Sequence, residues 1–169
     1  RDPLQELSGA DLEASVAAVA AGLRRLGVGR GDRVAAVVPN IPQAVIAFFA
    51  CASLGAIWAS SSPDFGTRSL IDRFAQITPK VLIAVDGYTY GGRSFDRRAV
   101  IDDLRAELPS LERTVLIPYL DPDATADRPG EMTWAALQAG PAGPLTFELV
   151  PFDHPLWVLY SSGTTGLPK

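Results

Sequence analysis

The apolar positions change period several times along the chain. Leu12, Val16, Val19, Ala20, Leu23 and Leu26 recur every three to four residues and so share one helical face. Ser8 ahead of them, Asp11 three residues on, and Gly27 behind them supply the start and stop signals. Past the glycine turn at Gly29 and Gly31, residues 33–38 form a β-branched run closed by Pro39, which predicts a buried strand. Pro42 opens a second helix reaching Leu54, and residues 56–59 predict the next strand. The cycle repeats with a helix over 67–77, a strand over 81–85, a helix over 97–108 and a strand over 114–117. A surface connection rich in Asp, Pro and Ala covers 118–130, followed by a short helix over 132–138, irregular chain over 141–155, and a last buried strand over 156–160. Such alternation predicts an α/β fold, a mostly parallel sheet with helices on both faces. No internal repeat and no dividing linker interrupts it, so one domain is expected.

A chain of 169 residues buries about 70% of its unfolded surface and needs no covalent staple. With 19 acidic and 15 basic side chains the net charge is −4, and no Lys/Arg-rich block occurs. That balance argues against a nucleic-acid surface and towards a small-molecule partner. Cys51 stands alone, which excludes an intramolecular disulfide, and with His154 as the single histidine it leaves too few soft ligands for a zinc site. A reducing cytoplasm is the expected setting. The longest apolar stretch, 44–59, falls short of the roughly 20 residues a membrane span needs and contains Ser53 and Gly55. No charged-then-apolar leader opens the chain, so neither anchoring nor secretion is expected.

The candidate chemistry is concentrated at Tyr160-Ser161-Ser162-Gly163-Thr164-Thr165-Gly166-Leu167-Pro168-Lys169. Glycines let a backbone turn its N–H groups inward, the Ser and Thr hydroxyls donate to phosphate oxygens, and Lys169 adds a mobile positive charge. This is not a Walker A loop, which needs Gly-Lys-Ser/Thr opening a helix. Here Pro168 precedes the lysine and disfavours helical geometry at Leu167. The bland alternative is a polar turn after a buried strand.

The string Ser162-Gly163-Thr164-Thr165-Gly166-Leu167-Pro168-Lys169 resembles the signature phosphate loop of the adenylate-forming superfamily, which includes acyl-CoA synthetases, luciferases and peptide-synthetase adenylation domains. Upstream, Gly55-Ala56-Ile57-Trp58, Ser62-Pro63-Asp64-Phe65-Gly66, Leu70-Ile71-Asp72-Arg73-Phe74, Ile117-Pro118-Tyr119 and the approach from Phe147 to Leu156 are similar to the acetoacetyl-CoA synthetase family rather than to acetyl-CoA synthetases. The resemblance implies ATP-dependent, Mg²⁺-assisted activation of acetoacetate through an acetoacetyl adenylate, followed by transfer to CoA. It also implies that Ser161, Ser162, Gly163, Thr164, Thr165, Gly166 and Lys169 hold the β- and γ-phosphates, with Lys169 catalytic as pyrophosphate leaves.

Related acetyl-CoA synthetases place an Arg-Gly-Gly-Lys/Arg loop against the nucleotide end of CoA, and Gly87-Tyr88-Thr89-Tyr90-Gly91-Gly92-Arg93 matches it in part. Tyr90 replaces the first arginine, and Arg93 remains as the candidate CoA contact. The other reading is a solvent-exposed glycine turn. Ser60 to Asp64 either lines a CoA tunnel or caps the following helix, and capping is the expectation. Cys51 reads as a core thiol, His154 as a turn residue at the entry to the last strand, and Trp58, Trp134 and Trp157 as packing. In relatives the adenine slot, the metal-binding glutamate, the acyl pocket and the hinge lie downstream of Lys169. The resemblance therefore implies that residues 1–169 are the N-terminal part of an AMP-binding domain, that the remainder of the parent chain is its partner, and that the isolated chain is inactive. Another acyl-CoA synthetase, for acetate or propionate, and a non-catalytic nucleotide-binding module are the alternatives.

Overall fold

The computed structural model describes residues 6–161. Its elements are α1 (Gly9–Arg25), β1 (Arg33–Val37), α2 (Pro42–Ser53), β2 (Ile57–Ser61), α3 (Thr67–Phe74), β3 (Val81–Val85), β4 (Gly87–Tyr90), β5 (Arg93–Asp96), α4 (Arg98–Glu107), β6 (Arg113–Ile117), β7 (Glu131–Thr133) and α5 (Trp134–Gln138). Five strands pair in parallel in the order β2-β1-β3-β6-β7. The α/β architecture expected from the alternating periods is the one observed.

Parallel strands need crossover connections, and the helical ones here cover both faces of the sheet. On one face Val34, Ala36, Val81, Ile83 and Val115 pack with α1, α2 and α5 through Val19, Leu23, Ala47, Cys51 and Leu137. On the other, Ala35, Leu82, Ala84 and Leu116 pack with α3 and α4 through Leu70, Phe74, Ile101 and Leu104. The period-2 alternation within β1 and β3 thus divides one strand's side chains between two cores. None of the helices among the described residues is long and apolar enough to cross a membrane.

Local signals set several boundaries. Ser8 caps α1 by accepting from the Asp11 N–H at 3.1 Å, and Gly27 follows the helix with a φ of 77°. Helix α3 ends at Phe74 rather than at Ile77, because the N–H groups of Gln76 and Ile77 turn to the carbonyls three residues back, those of Arg73 and Phe74, and Thr78 then takes a φ of 45°. Arg33 receives the released carbonyls, donating from Nε to Ile77 at 2.7 Å and from Nη2 to Thr78 at 2.8 Å. The segment expected as one helix over 132–138 is instead β7 followed by α5, with Thr133 as the cap that separates them. The last strand expected over 156–160 is reduced to one parallel bridge, Trp58↔Trp157, on the outer edge of β2. Its apolar side chains are not buried: Leu159 is 72% exposed and Leu156 50%, because no further strand lies outside them among the described residues.

Two outcomes follow from this packing. A Cβ on Gly22 would stand 2.2 Å from the Leu137 carbonyl oxygen, a backbone atom where α1 meets α5. Gly22→Ala should therefore destabilise the chain by about 1–3 kcal/mol from overpacking, outweighing a helix-propensity gain of about 1 kcal/mol, as chemical denaturation will show. Cys51 is fully buried, and burial pushes its thiol well above the ordinary value of 9.0. Above that pH the unfolded chain releases the proton that the folded chain keeps, so this contribution is present below it and is lost as pH rises. Cys51→Ala should flatten the alkaline decline in denaturation midpoint while lowering stability at neutral pH by about 1 kcal/mol or more.

Candidate functional site

The chain leaves β1 in one direction to form β2, then returns past β1 to form β3, so the strand order reverses between β1 and β3. The loops following those strands diverge and leave a crevice at the carboxyl edge, the place where open α/β sheets bind ligands. Two cavities flank it. The first, of about 530 Å³, has Asn40, Ser60, Ser61 and Ser62 on its polar side and Phe48 and Trp157 on its apolar side. The second, of about 460 Å³, lies between the turn Ser62-Pro63-Asp64 and the side chains of Tyr88, Tyr90 and Tyr119. Pro39 and Ser62 border both.

This placement corrects the capping expectation for the serines. The residue capping α3 is Gly66, with no side-chain hydrogen bond, because a turn closed by Phe65 N–H to the Ser62 carbonyl at 3.3 Å intervenes before the helix starts. Ser60, Ser61 and Ser62 face the first cavity instead.

The glycine segment matched to a CoA loop is a β-hairpin. Strands β4 and β5 pair antiparallel around Gly91 and Gly92, whose φ values of 58° and 74° form the two-residue turn that suits strand twist. Tyr88 stacks on Phe95 with ring centroids 5.1 Å apart. Tyr90 is 77% exposed and lines the second cavity. Arg93 is its cross-strand partner at the first position of β5, exposed and outside that cavity's wall.

Asp86, which the sequence reading did not single out, holds this region together. It sits buried at the end of β3, and its Oδ1 accepts from the N–H groups of Tyr119 and Leu120, both at 2.8 Å. Its Oδ2 accepts from Asp121 N–H at 2.7 Å, and its carbonyl accepts from Arg97 N–H at 2.7 Å. The loop after β6 is thereby fixed to the root of the hairpin, which sets Tyr119 against the second cavity. Gly87 follows because a Cβ there would lie 2.6 Å from the Phe95 carbonyl oxygen. The signal available in the sequence was a lone carboxylate between the apolar run of β3 and a glycine.

His154 behaves as a turn residue: its N–H donates to the Pro151 carbonyl at 3.0 Å, and its Nε2 lies 2.8 Å from the Gly55 carbonyl. Beyond it, Trp58 N–H donates to Leu156 and Val158 N–H donates to Trp58, at 3.0 and 2.8 Å. This parallel run heads for the carboxyl edge beside β2. Trp157 packs on Phe48 at 5.0 Å, at the first cavity, while Val158 and Tyr160 turn to the opposite face. Ser161 is the last described residue, and Ser162, Gly163, Thr164, Thr165, Gly166 and Lys169 lie outside the described residues. Burial pushes the Tyr160 phenol up to about 12, partly offset by the positive charge of Arg73. No three His, Cys, Asp or Glu side chains come together as a metal site among the described residues.

The family described as AMP-binding enzyme matches residues 2–169. The chain belongs to the AMP-binding enzyme family. Within it, the acetoacetyl-coenzyme A synthetase of Rhizobium meliloti (strain 1021) is 49% identical over 164 residues, 94% of this chain and 25% of that protein. The acetoacetyl-CoA synthetase of Rattus norvegicus is 42% identical over 176 residues, 100% of this chain and 26% of that protein. Among solved structures, an acetoacetyl-CoA synthetase from Streptomyces lividans matches with a TM-score of 0.90 at 52% identity, covering 97% of this chain and 25% of that one. The chain thus spans about a quarter of the length of these family members.

Asp86→Asn leaves one oxygen for three N–H groups and sets an amide NH₂ against a buried donor. Unfolding by urea should show a loss of about 2–3 kcal/mol, and the near-ultraviolet signal of the hairpin tyrosines should change with it.

Proposed function

We propose that this chain is the N-terminal part of the AMP-binding domain of an ATP-dependent acid–thiol ligase that converts acetoacetate to acetoacetyl-CoA through an acetoacetyl adenylate. The observation that carries the proposal is the position of Ser161, the first residue of the candidate string. It follows a segment that runs parallel to β2 along the outer edge of that strand, towards the carboxyl edge of the sheet. Acetoacetate as the acid is supported by the names of relatives 49% and 52% identical to this chain.

In this reading the acid's carboxylate attacks the α-phosphate of ATP, and negative charge gathers on the departing pyrophosphate. The hydroxyls of Ser161, Ser162, Thr164 and Thr165, the backbone N–H groups at Gly163 and Gly166, and the Lys169 ammonium offset that charge. Mg²⁺ supplies further charge neutralisation when bound with the nucleotide. The CoA thiol then displaces AMP from the acyl carbon. The second cavity suits the nucleotide end of CoA: the rings of Tyr88, Tyr90 and Tyr119 offer faces to a flat base, and Arg93 stands nearby for a phosphate.

The test uses the full-length polypeptide that carries this chain. Labelled pyrophosphate should exchange into ATP when acetoacetate is present, at a rate well above that with acetate or propionate. Lys169→Ala should slow that exchange by about 10²–10³, yet leave thioester formation from chemically prepared acetoacetyl adenylate and CoA far less affected, because no charge builds on pyrophosphate in that step. Exchange driven equally by acetate would reassign the acid. Equal losses in both half-reactions would remove Lys169 from phosphate handling.

A further inference from the structure

One side chain in the wall of the second cavity is at odds with a phosphate-bearing ligand. Asp64 is the one charged residue among the described residues that line that wall, and its carboxylate repels phosphate oxygens. It stands exposed on the turn before α3 and makes no hydrogen bond or ion pair among the described residues. The carboxylate is therefore free to accept from a ligand.

The turn that carries Asp64 is held firmly. Phe65 N–H donates to the Ser62 carbonyl at 3.3 Å and closes it. Arg97 donates from Nη2 to the Phe65 carbonyl, and the Arg73 guanidinium lies 4.4 Å from the centre of the Phe65 ring. Arg97 in turn hangs by its own N–H from the Asp86 carbonyl, so this turn and the hairpin share one root. The same Asp86 holds Tyr119 N–H. Tyr90 and Tyr119 are exposed, and neither ring meets another aromatic ring among the described residues, so their faces stay open to a flat base.

Stacking is nearly blind to the identity of a base, because every base has a π-face. Identity is read by donors and acceptors, and the hydroxyls of Ser62, Thr89 and the tyrosines can turn to play either part. Pro39 and Pro63 bring no N–H to the wall. Asp64 differs from all of these, since an ionised carboxylate only accepts. It pairs with an exocyclic amine, whereas a carbonyl at the same ring position sets lone pairs against its own.

We propose that Asp64 is a specificity-determining residue that reads the exocyclic amine of the CoA adenine, so that the second cavity takes a 6-aminopurine and rejects a 6-oxopurine. This inference rests on reading the second cavity as the seat of the CoA nucleotide under Proposed function. The same carboxylate turns the phosphates away from the turn and towards Arg93, outside the wall at the start of β5.

The test is steady-state thioester formation by the full-length polypeptide with ATP and acetoacetate, comparing CoA with its 6-oxopurine (hypoxanthine) counterpart in wild type, Asp64→Asn and Tyr90→Ala. Both residues are exposed, so neither variant removes core packing. Wild type should prefer CoA by roughly 5- to 30-fold in kcat/KM, the range for a hydrogen bond to a charged group in a cavity open to solvent. The preference should lie in KM, with kcat alike for the two forms, because the base is remote from the reacting thiol. An amide both donates and accepts, so in Asp64→Asn the preference should narrow to within about twofold, through a lower KM for the hypoxanthine form. A gain for the poorer substrate is a result that a merely structural role for Asp64 does not produce. Tyr90→Ala should raise KM for both forms alike, by roughly 5-fold or more. A wild type indifferent to the base, a preference that shows in kcat, or a preference unaltered in Asp64→Asn while Tyr90→Ala raises both KM values would overturn this inference alone. Wild-type KM for both forms in Tyr90→Ala, or a wild type that forms no thioester, overturns the reading under Proposed function and this inference together.

Discussion

A parallel sheet must be covered on both faces, and this single constraint organises the molecule. Strands β1 and β3 lie in the middle with the side chains of Val34 to Val37 and Val81 to Val85 buried above and below. Their backbones are completed by neighbours running the same way, reached by helices that cross over one face or the other. Once β2 has been added on one side and β3 on the other, the loops leaving β1 and β3 must part. The crevice at Pro39 and Ser62 is the geometrical result, not a separate invention.

Charged groups then do work that hydrophobic burial cannot do, because they act in one direction and at one distance. Asp86 collects three N–H groups from a single turn and so fixes a loop that has few apolar residues of its own. Arg98 makes a two-pronged pair with Glu131, both contacts at 2.9 Å, and so joins the start of α4 to β7. The Glu131 carboxylate has no exposure, so removing Arg98 alone would leave a buried charge unanswered. These fasteners lie around the carboxyl edge and along the side of the sheet leading to β7, where the chain is most irregular.

The helices and the central strands were legible in the sequence because each has a period and punctuation. Ser8 and Gly27 bracket α1, Pro42 opens α2, and residues 81–85 are apolar without a break, as a strand covered on both sides requires. The segments that were misread depend on distant partners. Residues 156–160 have the composition of a core strand, but only β2 is beside them, and composition does not say how many neighbours a strand will have. The hairpin at 87–96 was visible only as glycines in need of positive φ, because its strands carry exposed residues and little alternation. Asp86 and Arg73 were invisible as structural fasteners. Their partners lie on the loop after β6, on the turn before α3 and at Tyr160, and no short-range pattern announces such contacts. The candidate phosphate string is proposed from local order and spacing alone, and all of it beyond Ser161 lies outside the described residues.

The hairpin has a consequence for how the molecule opens. Strands β4 and β5 form a sheet of their own, bonded to each other and rooted in the main sheet through Asp86 and the residues beside it. Its tip can separate without exposing either core, whereas β1 and β3 can open only when both cores come apart. Amide hydrogens near Gly91 and Gly92 should then exchange with solvent through frequent local opening, and those of β3, a few residues earlier in the chain, only through global unfolding. The molecule is therefore graded in firmness across a single residue, Asp86: on one side of it a sheet locked between two cores, and on the other a hairpin whose pairing is only with itself.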